Sequence, residues 1–341
     1  ERGAILMKKR HIKTHAYPRV GLIGNPSDGY HGRTIAFTFK NFWAEILMGE
    51  DSTRISFVNR ESTFESVHEL CSHIRHHGYY GGIRLLKATI KRFHDHCKEH
   101  SIAADFEKKF KVTYTSNIPQ QVGLAGSSAI ITACFRALMQ FYGVNITPPT
   151  LANLVLSVET NELHIPAGLQ DRVVQAYGGV VFMDFAEEHF DRMGHGAYEQ
   201  LDPATLPPLY VAYTTRLSEG TEVFHNDIRG RFHRREADVV EAMAEWAELT
   251  QQCRDLLVAG RGTEIGPLLD RNFDLRRSIY QLSEGNLAMV EAARSTGASA
   301  KFTGSGGAIV GIYEGDEMFT ALKAKLGQQG VEVIKPIIGA A

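Results

Sequence analysis

The chain has 341 residues, 43% of them hydrophobic, which is enough to bury one large core or the cores of two fused lobes. Its 37 Lys and Arg nearly balance 39 Asp and Glu, so the net charge of -2 provides no field to attract nucleic acid or an anionic membrane. No run approaches the roughly 18 apolar residues of a membrane helix, and residues 1–16 form a basic, polar extension without an apolar signal core. We therefore expect a cytoplasmic protein, monomeric or homodimeric, that recognises a small molecule.

Strand-like patterns come first along the chain, over 20–23, 34–39 and 41–47, and the last two are predicted to form a hairpin that turns near Lys40. Helical spacing of apolar residues follows, and a strand then leads into a glycine-rich stretch and a helix that ends near Tyr142. The predicted elements of this part are helices over 64–77 and 82–99, a strand over 111–115, a helix opened by Pro148 and Pro149, and a strand over 180–185.

A second lobe is predicted from residue 201 onwards, so that the lobes cover 17–200 and 201–341. Strands and helices are segregated along the chain instead of alternating strictly, which indicates an α+β fold and argues against a doubly wound parallel sheet. The predicted elements of the second lobe are strands within 206–213 and over 300–302, 308–313 and 331–334, and helices over 234–259, 263–280 and 316–328.

Cysteines and histidines provide little evidence for a disulfide framework or a zinc site. The four cysteines are far apart and form no CxxC pair, which is typical of reduced thiols. Histidines cluster near two of them, but on predicted amphipathic helices and without the spacing of zinc ligands. The residues concerned are Cys71, Cys97, Cys134, Cys253, His73, His76, His77, His94 and His96.

The strongest local signal is the segment 117–129, which runs into an apolar helix. Gly123 and Gly126 let the backbone turn and approach an anion, Ser127 and Ser128 supply hydroxyl groups, and the helix directs unpaired N–H groups at the same point. The segment is neither a Walker loop nor GxGxxG. It favours a phosphate-binding loop, although glycine and serine also cap helices without any ligand.

A second glycine cluster, 301–308, lies between two short predicted strands and could pack backbone against backbone beside the first. Two carboxylates between the clusters suit phosphoryl transfer, which needs an acidic ligand for Mg²⁺ and an acidic group near the attacking hydroxyl. Glu159 interrupts an apolar helix, where a carboxylate is costly unless it meets a cation or a partner. Asp171 opens a helix after a Pro-Ala-Gly turn, where simple capping is the alternative.

Three ordered segments, Arg19–Asp28, Gly123–Ala129 and Lys301–Gly307, resemble the signature motifs of the GHMP kinases, the superfamily of galactokinase, homoserine kinase, mevalonate kinase and phosphomevalonate kinase. Within that superfamily the sequence is most similar to the plant-type glucuronokinases, and the similar segments span nearly the whole chain after residue 17. They are Gly24–Asp28, Gly78–Leu86, Gly168–Arg172, Tyr177–Gly179, Met183–Phe185, Phe273–Arg277 and Lys301–Gly307.

The resemblance implies an N-terminal lobe like ribosomal protein S5, with a left-handed βαβ unit, a ferredoxin-like C-terminal lobe, and ATP and Mg²⁺ as cofactors. It implies Ser127, or alternatively Ser128, and Glu159 as ligands of Mg²⁺. By the same resemblance Asp171 would lie beside the accepting hydroxyl, Arg19 would help to polarise it, and Asp28 would contact sugar hydroxyls. The implied nucleotide-binding residues are Gly123, Leu124, Ala125, Gly126, Ser127, Ser128, Ala129, Gly304, Ser305 and Gly306.

The resemblance also implies a substrate, D-glucuronate, phosphorylated at its anomeric hydroxyl to D-glucuronate 1-phosphate. Its carboxylate needs a cationic partner, and the arginine fork suits a carboxylate best. Arg172 and Arg33 are the first candidates, with an ordinary ion pair as the alternative for each. Tyr79, Tyr80 and Tyr177 could stack on a sugar or hydrogen-bond to it.

Two other functions are compatible with the sequence, and a third is disfavoured. The first is a kinase of the same superfamily for a neutral sugar or a sugar phosphate, such as fucose, arabinose or a heptose phosphate; Asn25 and Pro26 replace the Glu-His pair of galactokinases and disfavour galactose. The second is a catalytically silent sugar sensor, which need not keep Ser127, Glu159 and Asp171 together. A glycine-rich structural or nucleic-acid-binding module lacks the basic stripe it would need.

Overall fold

Strands occupy most of the segments where apolar residues alternate or run continuously. The computed structural model describes residues 11–57, 63–77, 83–215 and 228–339. The strands in these ranges are β1 (His11–Ala16), β2 (Arg19–Ile23), β3 (Arg33–Thr38), β4 (Ala44–Asp51), β5 (Ile55–Ser56), β6 (Thr63–Phe64), β7 (Lys109–Ser116), β8 (Val180–Asp184), β9 (Ala197–Leu201), β10 (Leu209–Thr214), β11 (Lys301–Phe302), β12 (Ala308–Ile312) and β13 (Val331–Ile334).

Helices fill the intervals between the strands. They are α1 (Val67–His77), α2 (Arg84–Glu99), α3 (Gly126–Tyr142), α4 (Pro148–Ser157), α5 (Leu169–Tyr177), α6 (Glu187–Met193), α7 (Ile228–His233), α8 (Ala237–Val258), α9 (Gly266–Ile279), α10 (Glu284–Arg294) and α11 (Gly315–Gly327). A 3₁₀ turn covers Ser27–Tyr30, and a π-helical turn, Val158–Glu162, continues α4. Across the described ranges, none of these helices has the length and apolar character needed to cross a bilayer.

The chain divides into two compact units, and the first takes in residues up to Ala16, Trp43–Asn117 and Gly126–Ala167. Its sheet, as far as the described residues show it, has the order β1-β4-β7-β5-β6. All neighbours pair antiparallel except β5 and β7, which are parallel and are separated in sequence by α1 and α2. Helix α3 packs on this sheet, and the Thr14 hydroxyl of β1 donates a hydrogen bond to the Ala133 carbonyl at 2.7 Å.

The second unit contains Tyr17–Phe42, Ile118–Ala125 and Gly168–Ala341. Within the described residues it has two antiparallel sheets, ordered β2-β3-β8-β9 and β11-β12-β10-β13. The middle residues of β10 are fully buried, because helices cover the sheet to which it is central. Aromatic and aliphatic side chains from α9, α10, α11 and the strands form its core, including Tyr210, Phe273, Val290, Phe302 and Leu322.

The predicted α+β class is confirmed, and most predicted elements occur within a few residues of their expected bounds. The predicted hairpin is wrong: β3 pairs with β2 and β8, whereas β4 pairs with β1 and β7. Strand β1 lies in what the sequence presents as a polar extension, and Ile12, Thr14 and Ala16 on one face of it are buried. The lobe boundaries, 1–16, 17–200 and 201–341, stay a prediction.

Candidate active site

The two glycine-rich loops meet backbone to backbone in the second unit, as expected. Gly123 has a φ of +72°, and a Cβ atom there would lie 2.6 Å from the Gly306 carbonyl oxygen. A Cβ atom on Gly304 would lie 3.0 Å from the Gly123 carbonyl oxygen. The Leu124 carbonyl accepts the backbone N–H of Arg19 at 3.1 Å, and Gln175 donates to the Ala125 carbonyl at 2.9 Å. Side chains are therefore excluded where the loops touch, and β2 and α5 hold the first loop in place.

Arg19 connects this loop pair to Asp171. Its Nη2 donates to Asp171 Oδ2 at 2.5 Å, and its Nη1 donates to the carbonyls of Thr303 at 2.7 Å and Gly123 at 3.0 Å. Arg172 Nη1 donates to the same Asp171 oxygen at 3.1 Å and to the Gly168 carbonyl at 2.9 Å. The site thus holds one carboxylate between two guanidinium groups, both of which are more than 90% buried.

Asp171 and Asp28 differ in how readily they ionise. Burial opposes the charge on Asp171, but the positive charges of Arg19 and Arg172 outweigh it and lower the pKa of this carboxyl. Burial and the nearby charge of Asp171 raise the pKa of Asp28 from 3.8 to about 6. Gly168 permits the close approach of Asp28, because a Cβ atom at that position would lie 2.8 Å from Asp28 Oδ2. Two carboxyls with separated pKa values are typical of sites that handle protons.

Ser127 and Glu159 form a second cluster, in the first unit. Ser127 opens α3 with an exposed side chain, and its hydroxyl donates to Glu159 Oε1 at 2.8 Å. Glu159 is 1% exposed and lies in the π-helical turn that follows α4. Such turns are rare and often mark functional positions. A hydroxyl and a carboxylate form an oxygen donor set that suits Mg²⁺, whereas Ser128 is fully buried within the helix.

Other predicted site residues have less direct support. The side chains of Leu124 and Ala129 are buried, so only their backbone could face a nucleotide, while Ser305 is exposed at the loop tip. Arg33 already pairs with Asp184, Nε to Oδ2 at 2.7 Å. Tyr177 packs edge-on against Tyr198 at the far end of α5, about 9 Å along the helix axis from Asp171. Tyr79 and Tyr80 lie outside the described residues.

Two buried cations were not assigned a role from the sequence. Lys301 is 1% exposed and donates from Nζ to the Gly21 carbonyl at 2.7 Å and to Asn25 Oδ1 at 2.5 Å. Burial and the charges of Arg276 and Arg19 lower the pKa of Lys301. Arg276 is 8% exposed and donates from Nη1 to the Gly304 carbonyl at 3.1 Å. One sequence signal could have revealed Arg276, because its spacing from Phe273 places a charge on the buried face of α9.

The histidine and cysteine cluster lies apart in sequence, on α1 and α2 of the first unit. Donor atoms of Cys71, His94 and Asp95 come within 4.8 Å of one another. His94 is hydrogen-bonded through both ring nitrogens, to His68 and to Asp95, at 3.2 Å each. A ring nitrogen that forms a hydrogen bond is not available to a metal ion, so these contacts support a structural role for the cluster.

Comparisons with known proteins indicate the same chemistry as the motifs. Residues 84–179 match the model of the GHMP kinases N terminal domain. Probable glucuronokinase 2 of Arabidopsis thaliana is 41% identical over 94% of this chain and 90% of its own, and glucuronokinase 1 of that plant is 41% identical over 88% and 84%. The structure of Lactococcus lactis galactokinase complexed with galactose has a TM-score of 0.77 at 16% identity, covering 98% of this chain and 95% of that one.

Proposed function

We propose a reaction for this chain from the premise that it belongs to the GHMP kinase family and, within it, to the glucuronokinases. The enzyme transfers the γ-phosphoryl group of ATP to the anomeric hydroxyl of D-glucuronate and forms D-glucuronate 1-phosphate. The observation that carries this proposal is the similarity to two glucuronokinases over most of the chain. The arrangement of Arg19, Asp28 and Asp171 supports a sugar hydroxyl as acceptor.

Asp171 orients the accepting hydroxyl in this proposal. Its lowered pKa keeps it ionised at neutral pH, so it can accept a hydrogen bond from the anomeric O–H. A carboxylate of lowered pKa is a weak base, so the proton passes from the hydroxyl to Asp171 only as the oxygen bonds to phosphorus and the bond between phosphorus and ADP breaks. Arg19, held by the carbonyls of Thr303 and Gly123, stabilises negative charge that develops on that oxygen.

The glycine-rich loop and the first turn of α3 bind the phosphates of ATP through backbone N–H groups. The Gly304–Gly306 loop, which packs on Gly123, supports the first loop and adds further donors. This packing explains why Gly123 and Gly304 lack side chains where the two loops touch.

Ser127 and Glu159 hold Mg²⁺ in this proposal, because their donor atoms lie 2.8 Å apart and Ser127 is exposed. Full burial of the Ser128 side chain supports Ser127 over Ser128 as the hydroxyl ligand. When bound, Mg²⁺ supplies positive charge that offsets the phosphate oxygens. Glu159 is largely withdrawn from water, so a cation beside it would offset the cost of burying its charge.

The experiment that tests the reaction is ATP consumption by the purified protein with D-glucuronate, D-galacturonate, galactose, fucose and arabinose. We expect kcat/KM to be highest for D-glucuronate, and phosphorus NMR to show a 1-phosphate product. A preference for a neutral sugar would contradict glucuronate as the substrate, but the chain would still be a sugar kinase. Sugar binding without any phosphate transfer would instead indicate a silent sensor.

The setting of the reaction is also a proposal. The enzyme works in the cytoplasm, where ATP is available, as a monomer or homodimer, and its partner is the sugar acid and not a nucleic acid or a membrane. The near balance of charge over the 341 residues supports this, because it offers no basic stripe for a polyanion. Light scattering of the purified protein would give the oligomeric state.

A further inference from the structure

Arg276 is a buried guanidinium group in α9 that forms no ion pair with a described carboxylate. It is 8% exposed, and over residues 11–57, 63–77, 83–215 and 228–339 it forms no ion pair. Its Nη1 donates to the Gly304 carbonyl at 3.1 Å, and its Nε is buried without any hydrogen-bond acceptor. Burying a charge without a counter-ion is costly. A buried arginine without an ion pair therefore indicates that a bound anion supplies the opposite charge.

Two aromatic rings lie against this guanidinium group. Its Cζ lies 4.8 Å from the ring centroid of Tyr280 and 5.5 Å from that of Phe302. Aromatic rings favour a nearby cation but supply no carboxylate oxygen to its N–H groups, and the fork of a guanidinium matches the two oxygens of a carboxylate. Arg276 therefore keeps donor groups that suit a carboxylate.

The charges around Arg276 also favour an anion that belongs to the sugar. Burial and the positive charges of Arg276 and Arg19 lower the pKa of the neighbouring Lys301, so basic groups gather at this place in the second unit. Asp28 is close enough for its charge to act on both Arg276 and Tyr280. Asp28 is also the residue proposed to contact sugar hydroxyls.

Neither of the arginines expected from the sequence is as available. Arg33 pairs with Asp184 at 2.7 Å, and Arg172 donates to Asp171 at 3.1 Å and to the Gly168 carbonyl. Binding the substrate's carboxylate through either one would compete with an existing carboxylate partner. Among the described residues Arg276 forms no ion pair, although the charge of Asp28 acts on it from nearby.

We propose that Arg276 binds the carboxylate of the sugar acid and thereby determines that the enzyme accepts a uronic acid. The inference rests on the proposed function and adds the subsite that recognises the acid group. The same guanidinium could in principle serve a phosphate of ATP, since Gly304 lies in the second glycine loop. The experiment is therefore designed to separate a sugar carboxylate from a nucleotide phosphate.

The test compares D-glucuronate with D-glucuronamide, which replaces the carboxylate by a neutral amide of the same size. The wild-type enzyme is expected to prefer the acid by on the order of 100-fold in kcat/KM, the discrimination typical of a buried charge-assisted pair. Arg276→Met, which keeps the length of the side chain, should abolish that preference by raising the KM for glucuronate. The KM for ATP and the turnover of glucuronamide should both stay within about twofold of their wild-type values.

Arg277→Met is the matched control, because Arg277 is the next residue on α9 but its side chain is 55% exposed and pairs with Glu291 at 3.3 Å. It should retain the preference of the wild type. Arg276→Lys keeps the charge without the fork and should lose an intermediate part of the preference; it also serves if the methionine variant does not fold.

Three results would overturn the inference. An increased KM for ATP with an unchanged acid-to-amide ratio would assign Arg276 to a phosphate. An unchanged KM for both substrates would make it a purely structural residue, although the proposed reaction would stand. Failure of the wild-type protein to phosphorylate glucuronate would remove both the reaction and the subsite.

Discussion

Asp28 and Asp171 show how neighbouring groups give the same side chain opposite protonation behaviour. Asp171 has two arginine partners, and their charges lower its pKa despite burial. Asp28 is partly buried and has Asp171 nearby, and its pKa rises to about 6. The charge of Asp171 thus contributes to the unfavourable ionisation of Asp28, so the two carboxyls titrate as neighbours and not independently.

Asp171→Asn removes the charge that orients the accepting hydroxyl but keeps the shape of the side chain. We expect kcat with glucuronate to fall by roughly 10²–10⁴-fold, the usual effect of losing a group that handles a proton or its hydrogen bond. Nucleotide affinity, measured by fluorescence titration, should change little. Asp184→Asn is the control, because the Asp184 carboxylate pairs with Arg33. This substitution should leave kcat unaffected. Wild-type turnover in the Asp171 variant would make the catalytic assignment wrong.

The pKa of Asp28 predicts a pH-dependent stability. Because this pKa is higher in the folded chain than the ordinary 3.8, the folded state binds the extra proton between about pH 4 and pH 6. The free energy of unfolding therefore falls as pH rises through that window, by up to about 3 kcal/mol at 1.36 kcal/mol per pKa unit. Asp28→Asn cannot ionise and should gain stability relative to the wild type as pH rises.

Urea unfolding at about pH 4 and about pH 7.5 measures this difference. The variant should show its advantage at the higher pH only, together with a raised KM for the sugar. An advantage of equal size at both values would mean that the charge of Asp28 is not the cause.

At the scale of elements, the contact between the two glycine loops explains why the first loop tolerates no side chain at position 123. Gly123 and Gly143 both have positive φ, +72° and +68°, but only Gly123 faces another backbone. A Cβ atom on Gly123 would lie 2.6 Å from Gly306 O, whereas one on Gly143 would have nothing within 4 Å. Substitutions at these two positions therefore distinguish the cost of backbone strain from the cost of a steric clash with the second loop.

Gly143→Ala should therefore cost only the strain of the left-handed conformation, about 1–2 kcal/mol. Gly123→Ala should cost more, and it should also weaken ATP binding, because the loop must move away from Gly304–Gly306. Thermal unfolding and nucleotide titration of both variants give the two effects. Equal losses of stability with unchanged ATP affinity would show that the loop contact is not needed for binding the nucleotide.

Local patterns predicted the elements well where the signal is contained in one segment. The phosphate loop and α3 follow from glycines, serines and an apolar helix that are contiguous in sequence, and the helix bounds at Pro148 follow from proline's place in the first turn. The hairpin between β3 and β4 was wrong because strand partners depend on distant residues. Strand β1 was not predicted because its buried face holds only two apolar residues, Ile12 and Ala16, with the polar Thr14 between them, so the alternation is weak.

The candidate site could be predicted only in part for a related reason. Asp171 and Arg19 were named from motifs, but their contact joins residues 152 positions apart and appears only in the folded chain. Arg276 was overlooked because the lack of a counter-ion is a property of its surroundings and not of its sequence neighbours. Arg33 looked available in sequence, whereas the fold places Asp184 opposite it on the neighbouring strand.

At the scale of the whole molecule, the four cysteines report on the integrity of the fold. Cys71, Cys97, Cys134 and Cys253 are all buried, and none of the four forms a disulfide bond. Burial raises the pKa of Cys97 to about 11 and, against the nearby charge of Lys301, that of Cys253 to about 12, so few thiolates form at neutral pH.

Ellman's reagent should therefore detect no rapidly reacting thiol in the native protein and four after unfolding in guanidinium chloride. Activity should not depend on added reductant. A thiol that reacts rapidly under native conditions would show that one of these residues is exposed in solution.

The division into two units limits how this protein can be recombined with its relatives. Each unit is assembled from separate stretches of chain, and Ala125 and Gly126, adjacent in the phosphate loop, fall in different units. A single crossover between two genes of the family would therefore combine fragments of both units from different parents. Chimaeras that exchange one complete unit need crossovers at all five junctions, following Ala16, Phe42, Asn117, Ala125 and Ala167.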